Sequence, residues 1–300
     1  MRITDKILMN TFNANLAAST ERLYDRETKV LTNRNINKPS DNPVDAMTAL
    51  AVRTKVSQIE QYQRNITRSQ TLLKNTETVV SDLEDIFGQV NTLLVQGSSD
   101  NNTLSDRVSI SYEIDQILEQ TFNFANNRSE NTYTFAGTNN ATAPYQAIRN
   151  DAGEIVEVKT AGSSGDINGL IGENITIKVN INGEDLFEKG QNLFNTLIKV
   201  RDDLRANDGD AIRSDLTDVN TASEKVIGIQ SLIGARVNRI DSANSRAEND
   251  FANFTEYLSN IEDVDAAQAI LDYQTELVTL QSSLQAGARL LYPRLADFLR

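Results

Sequence analysis

Apolar residues recur every seven positions along two stretches of this chain. The first runs Val52, Ile59, Ile66, Leu73, Val80, Phe87 and Leu94; the second runs Ile212, Val219, Val226, Ile233, Ile240, Ala247, Phe254 and Ile261. A strict heptad keeps one stripe of a helix turned toward a partner. The spacing predicts a proline-free helix from about Val44 to Val95 and another that runs to about Ile261. Leu72, Val79, Ile86 and Leu93 form a companion stripe beside the first ladder. Together they make an apolar face wide enough for a bundle rather than a two-stranded zipper.

The two ends carry thinner stripes. Met9, Phe12, Leu16, Leu23 and Val30 alternate three- and four-residue steps, with Ser19 and Arg26 at the polar steps; Ile270, Tyr273, Leu277, Leu280, Leu284, Leu291 and Phe298 do the same at the other end, with Gly287 and Arg294 interrupting. Helices this sparsely apolar are marginal alone in water. They are therefore expected to be assembly helices, whose stripes stay empty until a neighbouring subunit covers them.

Between the first end helix and the first ladder lies Pro39-Ser40-Asp41-Asn42-Pro43. Two prolines four apart break the helix, and Asp41 or Asn42 before Pro43 offers an N-cap with proline at the first helical position. This segment is a helix corner. A shorter helix, Leu104 to Asn126, should turn Val108, Ile114, Ile117, Leu118 and Phe122 inward, and Asp185 to Leu204 reads as another helix.

From about 131 to 183 the period changes to two. Thr132–Gly137, Ile155–Val158 and Ile175–Val179 read as strands separated by Gly-, Ser- and Asn-rich turns. The expected architecture is mainly α with a β insert, a long rod of antiparallel helices with a small β domain at mid-chain. It divides into terminal helices (1–43 with 264–300), a helical rod (44–130 with 185–263) and a β module (131–184).

Composition narrows the chemistry. The chain has no His and no Cys, so the side chain that titrates near neutrality, the thiol nucleophile and the soft metal ligand are all missing. That argues against an enzyme, and no cofactor or metal is expected. A net charge of −13 argues against nucleic acid, and no apolar run approaches bilayer length, so membrane insertion is not expected. The start of the chain lacks the apolar core of a cleaved secretory signal. The glycines at 162, 165, 169 and 172 lack the Lys-Ser/Thr end of a phosphate loop and read as flexible β turns. Asn207-Asp208-Gly209-Asp210 lacks the acidic ligand spacing of a calcium loop. A carboxylate-dependent hydrolase of a surface polymer would need Asp151, Glu154 or Asp166 in an acidic pocket, and nothing in their spacing favours it.

Several stretches together resemble a known family: the opening Met-Arg-Ile-Thr, Asn37-Lys38-Pro39-Ser40-Asp41-Asn42-Pro43-Val44-Asp45-Ala46, Asn102-Thr103-Leu104-Ser105-Asp106-Arg107, and Tyr133-Thr134-Phe135-Ala136-Gly137 followed by Ala143-Pro144-Tyr145. Their order and spacing are similar to those of the hook–filament junction proteins of the flagellin superfamily. The resemblance implies a structural component of the bacterial flagellum, exported unfolded through the type III apparatus without a cleaved signal and escorted by a cytosolic chaperone. It implies a ring of like subunits between the first junction protein and the flagellin filament. The terminal helices would form the inner layer and the β insert the outer knob. The final Leu299-Arg300 is more usual in flagellin itself, which leaves a short filament-forming flagellin as the alternative.

Overall fold

The computed structural model describes the backbone of residues 2–129, 132–162 and 164–298, and side chains between 6 and 288. The elements are α1 (Arg2–Thr32), α2 (Pro43–Gly97), α3 (Leu104–Ala125), β1 (Arg128–Ser129), β2 (Thr132–Tyr133), β3 (Tyr145–Arg149), β4 (Ile155–Thr160), β5 (Asn168–Gly172), β6 (Ile175–Lys178), α4 (Leu193–Ala206), α5 (Gly209–Glu262) and α6 (Ala266–Phe298). The chain packs as two units, residues 59–248 and residues 1–58 with 249–300.

The larger unit holds the heptad core. Ile59, Ile66, Leu73, Val80, Phe87 and Leu94 of α2 are buried, as are Ile212, Val219, Val226, Ile233, Ile240 and Ala247 of α5. Val79, Ile86 and Leu93 of the companion stripe are buried too, while Leu72 is half-buried. Gln70 donates to Asp241 and Asn91 donates to Asn220, so the two long helices run antiparallel here, as the sequence predicts.

A second antiparallel pair, α3 and α4, completes the helical layer. Buried Arg201 on α4 donates to Asp115 on α3 at 2.9 Å and to the Ile155 carbonyl at 2.8 Å, tying both helices to β4. Arg107 plays the same part at the other end of the pair. Its guanidinium donates to the carbonyls of Gly97 (3.0 Å) and Ser99, and to the Asn207 side chain (2.7 Å). The buried Arg107 cation is tolerated because each of its three guanidinium nitrogens meets an oxygen. The Thr103–Asp106 capping box starts α3, and Asn207 ends α4 in the left-handed conformation (φ 56°). The Asn-Asp-Gly-Asp segment is thus a helix-to-helix joint, with Asp208 accepting from the amides of Asp210 and Ala211 at the start of α5.

The β region departs most from expectation. Among the described residues it forms three separate antiparallel pairs, β1–β2, β3–β4 and β5–β6. Thr132–Gly137 is a strand for two residues only and then turns, with Gly137 at φ 62°. The reason is tertiary: Phe135 is buried edge-on against Phe187, with Tyr145 and Phe194 completing an aromatic cluster, and an extended chain would carry that ring past it. Gly169 and Gly172 lie in β5 rather than in turns. A Cβ at Gly169 would sit 2.6 Å from Ser69 Oγ, so the glycine lets β5 approach α2. The predicted helix from 185 is interrupted: a single π turn (Glu184–Glu188) places Phe187 in the aromatic cluster, and α4 begins at Leu193, capped by Asn192.

Leu73 is fully buried at the middle of the α2 ladder. Leu73→Ala should lower the stability of the 59–248 unit by about 2–5 kcal/mol, read as a shift of the urea midpoint at constant slope. Leu73→Asp should prevent that unit from folding.

Candidate assembly surface

The smaller unit is built from α1, α6, the first turns of α2 and the last turns of α5. Its corner follows the sequence closely. Asn42 caps α2 by accepting from the Asp45 amide, with Pro43 at the first helical position. Asp41 closes the loop instead, accepting from the amides of Asn37 (2.9 Å) and Lys38 (2.8 Å). These two backbone donors hold its carboxyl below the usual range. Pro39 and Ser40 occupy the turn between them. Across the corner, Asn33 and Asn35 exchange backbone bonds with Val264 and Glu262. The Glu262 carboxylate is buried and accepts from Arg53 at 2.7 Å.

α1 and α6 pack on each other and run antiparallel. Ser19 donates to Glu276 at 2.9 Å, Arg22 pairs with the same carboxylate at 3.0 Å, and Arg26 pairs with Asp272 at 3.1 Å. A side chain at Gly287 would collide with the Phe12 ring. This revises one expectation: the end stripes are not vacant in a single chain, because each end helix supplies the other's first partner. Phe12, Leu16, Leu23 and Val30 are half-buried along α1, and Leu277 and Leu280 along α6. Met9, Ile270 and Leu284 remain exposed. The side chains of Leu291 and Phe298 lie outside the described residues.

What this packing fails to bury is the decisive feature. Among the described residues of the smaller unit, the buried apolar ones are Ala49, Val52 and Ala269. Larger side chains point outward: Leu31 is 78% exposed, Met47 74% and Val44 72%, joined by Leu50, Tyr24, Leu271 and Val278. Tyr24 and Leu31 are seven apart, as are Leu271 and Val278. Each pair is a second heptad stripe that the sequence reading passed over because one stripe per helix already fitted. Phe254 and Ile261, the last two rungs of the α5 ladder, are only half-buried here.

Two of the three carboxylates considered for hydrolysis are engaged in ion pairs. Glu154 pairs with Arg205 at 2.9 Å, which together with Asn150 holds its pKa down. Asp166 is held by Lys178 and Asn182. Asp151 sits in the β3–β4 turn. No helix among the described residues is long and apolar enough to cross a membrane.

Comparison with known proteins fits these two features together. The bacterial flagellin N-terminal helical region matches residues 3–140, and the bacterial flagellin C-terminal helical region matches residues 216–292. The chain belongs to the flagellin superfamily. Flagellar hook-associated protein 3 of Escherichia coli (strain K12) is 25% identical over 274 residues, covering 85% of this chain and 86% of that protein. A flagellin of Halalkalibacterium halodurans is 20% identical over 85% of the chain and 83% of its own length. Among solved structures, a putative flagellar hook-associated protein from Vibrio parahaemolyticus covers 74% of this chain and all of its own (TM-score 0.66, 19% identity). FlgL from Bacillus cereus covers 70% of this chain and 99% of its own (TM-score 0.59, 21% identity). This superfamily chain is a homologue of the flagellar hook-associated proteins, which form a family of structural components.

The Ser19–Glu276–Arg22 contact gives the helix pair a pH dependence. Glu276 is held below its usual 4.5, first by the Ser19 hydroxyl and then by Arg22 and Arg26. A carboxylate depressed in the folded state lends stability above its unfolded pKa and loses it as the pH falls through the folded value. Glu276→Gln should therefore weaken α1–α6 pairing at neutral pH and match the parent at about pH 2. Hydrogen exchange over residues 6–32 at the two pH values checks this.

Proposed function

We propose that the protein is a flagellar junction adaptor that joins hook to filament through its terminal helices. The observation that carries this reading is the smaller unit's inverted distribution of apolar side chains. No apolar side chain larger than valine is buried among its described residues, while leucine, tyrosine and methionine are exposed. Exposed apolar surface in such amounts marks sites where another protein docks. The partners that fit are like subunits in a ring, the first junction protein on one side and flagellin on the other. An export chaperone would cover the same surface before secretion through the type III apparatus, and the mature protein would be extracellular. Met9, Phe12, Leu16, Leu23, Val30, Ile270, Leu277, Leu280, Leu284, Leu291 and Phe298 are the proposed assembly residues, with the β hairpins as an outer module.

The alternative within the superfamily is a short flagellin, which the Halalkalibacterium relative keeps in view. Seeded polymerisation of the purified protein separates the two. Short or absent polymers fit the adaptor, and long filaments fit flagellin.

Leu284 is 49% exposed in the single chain. Leu284→Asp should leave the helical circular dichroism and melting of the monomer unchanged, yet cells carrying it as their sole copy should shed flagellin instead of growing filaments. Normal filament growth with a folded Leu284→Asp protein would overturn the reading.

A further inference from the structure

Where α4 meets α5, the larger unit hides a carboxyl group that the assembly reading does not use. Asp215, in the second turn of α5, has a fully buried side chain. Ile212 and Val219 on α5 are fully buried on either side of it, as are Val200 and Leu204 on α4. The surroundings are apolar, and a carboxylate placed there has given up its water.

The cation beside it is Lys199 of α4, whose Nζ lies 2.8 Å from Oδ1. That ammonium also donates to Asp218 at 2.9 Å, and its side chain is half exposed. Neither Asp215 oxygen accepts a well-directed hydrogen bond among the described residues. Asp203, one turn beyond Lys199 on α4, brings a third carboxyl group to bear on Asp215. Three carboxyl groups thus compete for one ammonium, and the buried one is the worst served. The neighbouring arginines are committed to other acids: Arg201 to Asp115 of α3 and to Asp202, Arg205 to Glu154, and Arg213 to Asp210 and Asp100. On α2, which meets α5 at Asn91 and Asn220, residues 86–97 carry no charged side chain.

We propose that Asp215 is the proton-operated part of a latch between α4 and α5, closed when its carboxyl is neutral and loosened when it ionises. Neutral, the group can donate its own O–H to Asp203 and leaves Lys199 to Asp218. Ionised, it is a buried anion that shares its partner with a surface carboxylate. Burial pushes the Asp215 carboxyl above its usual range; Lys199 pulls it back, and Asp203 adds to the rise. A carboxyl raised in the folded state stabilises the fold below its unfolded pKa and loses that contribution as the pH rises through the folded one. The latch therefore tightens in acid, the opposite sense to Glu276 in the smaller unit. This inference is independent of the junction role and concerns a different unit of the chain.

The test compares Asp215→Asn with the parent, as full-length proteins, by urea unfolding and amide hydrogen exchange at about pH 4 and about pH 8. The substitution removes the charge and keeps the shape. At the higher pH it should raise the urea midpoint of the 59–248 unit and slow exchange over α4 by about tenfold, the factor that one pH unit of elevation produces. At the lower pH the two proteins should coincide. In carboxyl-carbon NMR of the parent, the signal lost in Asp215→Asn should titrate at higher pH than that of the exposed Asp100. A variant less stable than the parent at the higher pH, an equal offset at both pH values, or an Asp215 carboxyl that titrates together with Asp100 would each overturn the proposal.

Discussion

A heptad stripe is an unfinished surface, and most of this structure follows from where that surface is covered. Within residues 59–248, the stripes of α2 and α5 are sealed and the antiparallel pair of α3 and α4 packs in the same unit. The same ladders continue beyond those limits in unchanged register. There Val52 is still buried, but Phe254 and Ile261 are half-exposed, and the neighbouring Val44, Met47 and Leu50 stand in solvent. The sequence does not become less apolar at that point. It runs out of helices in its own chain to set against the stripe.

This explains why the long helices were legible from sequence and the hairpins only in part. A seven-residue repeat sustained over many turns has one structural solution, and residues such as Ile66, Leu73, Val80 and Phe87 could be placed on a buried face from spacing alone. The corner was legible because proline and an Asx cap have local consequences. The β region was legible only in part: β4 and β6 lie where strands were expected, and the rest of its conformation answers to tertiary contacts. Phe135 turns out of its strand to join Phe187 and Tyr145, and Gly169 serves a strand that must pass close to Ser69. The strand at 145–149 shows no clean alternation that would have announced it. Its pairing depends on β4, and only Tyr145 of its residues is fully buried.

The candidate surface was half legible. The thin stripes on the two end helices were recognised. Their mutual pairing was missed, because its principal contacts are polar or small: Ser19 with Glu276, Arg26 with Asp272, and Phe12 over Gly287. A hydrophobic-periodicity argument has no purchase on a seam of serine, glutamate and glycine. The second stripes at Tyr24 and Leu31 and at Leu271 and Val278 carried a readable signal, the same interval of seven, and were overlooked.

The polar seam also bears on how a helix pair can be specific and still ready to join others. Polar groups at seam positions fix register at a cost in stability. Sliding α1 by one turn against α6 would separate Ser19 and Arg22 from Glu276 and bring a larger residue against Gly287 or Phe12. Such a pair is aligned by its ion pairs and held weakly by apolar contact. Its large apolar side chains, turned outward at Leu31, Tyr24, Leu271 and Val278, are then presented in a defined order along both helices. A pair with its leucines inside would be more stable alone and would offer an incoming subunit little apolar area to bury. Weak, well-registered pairing in the single chain is therefore the condition under which docking on a neighbour contributes most of the burial.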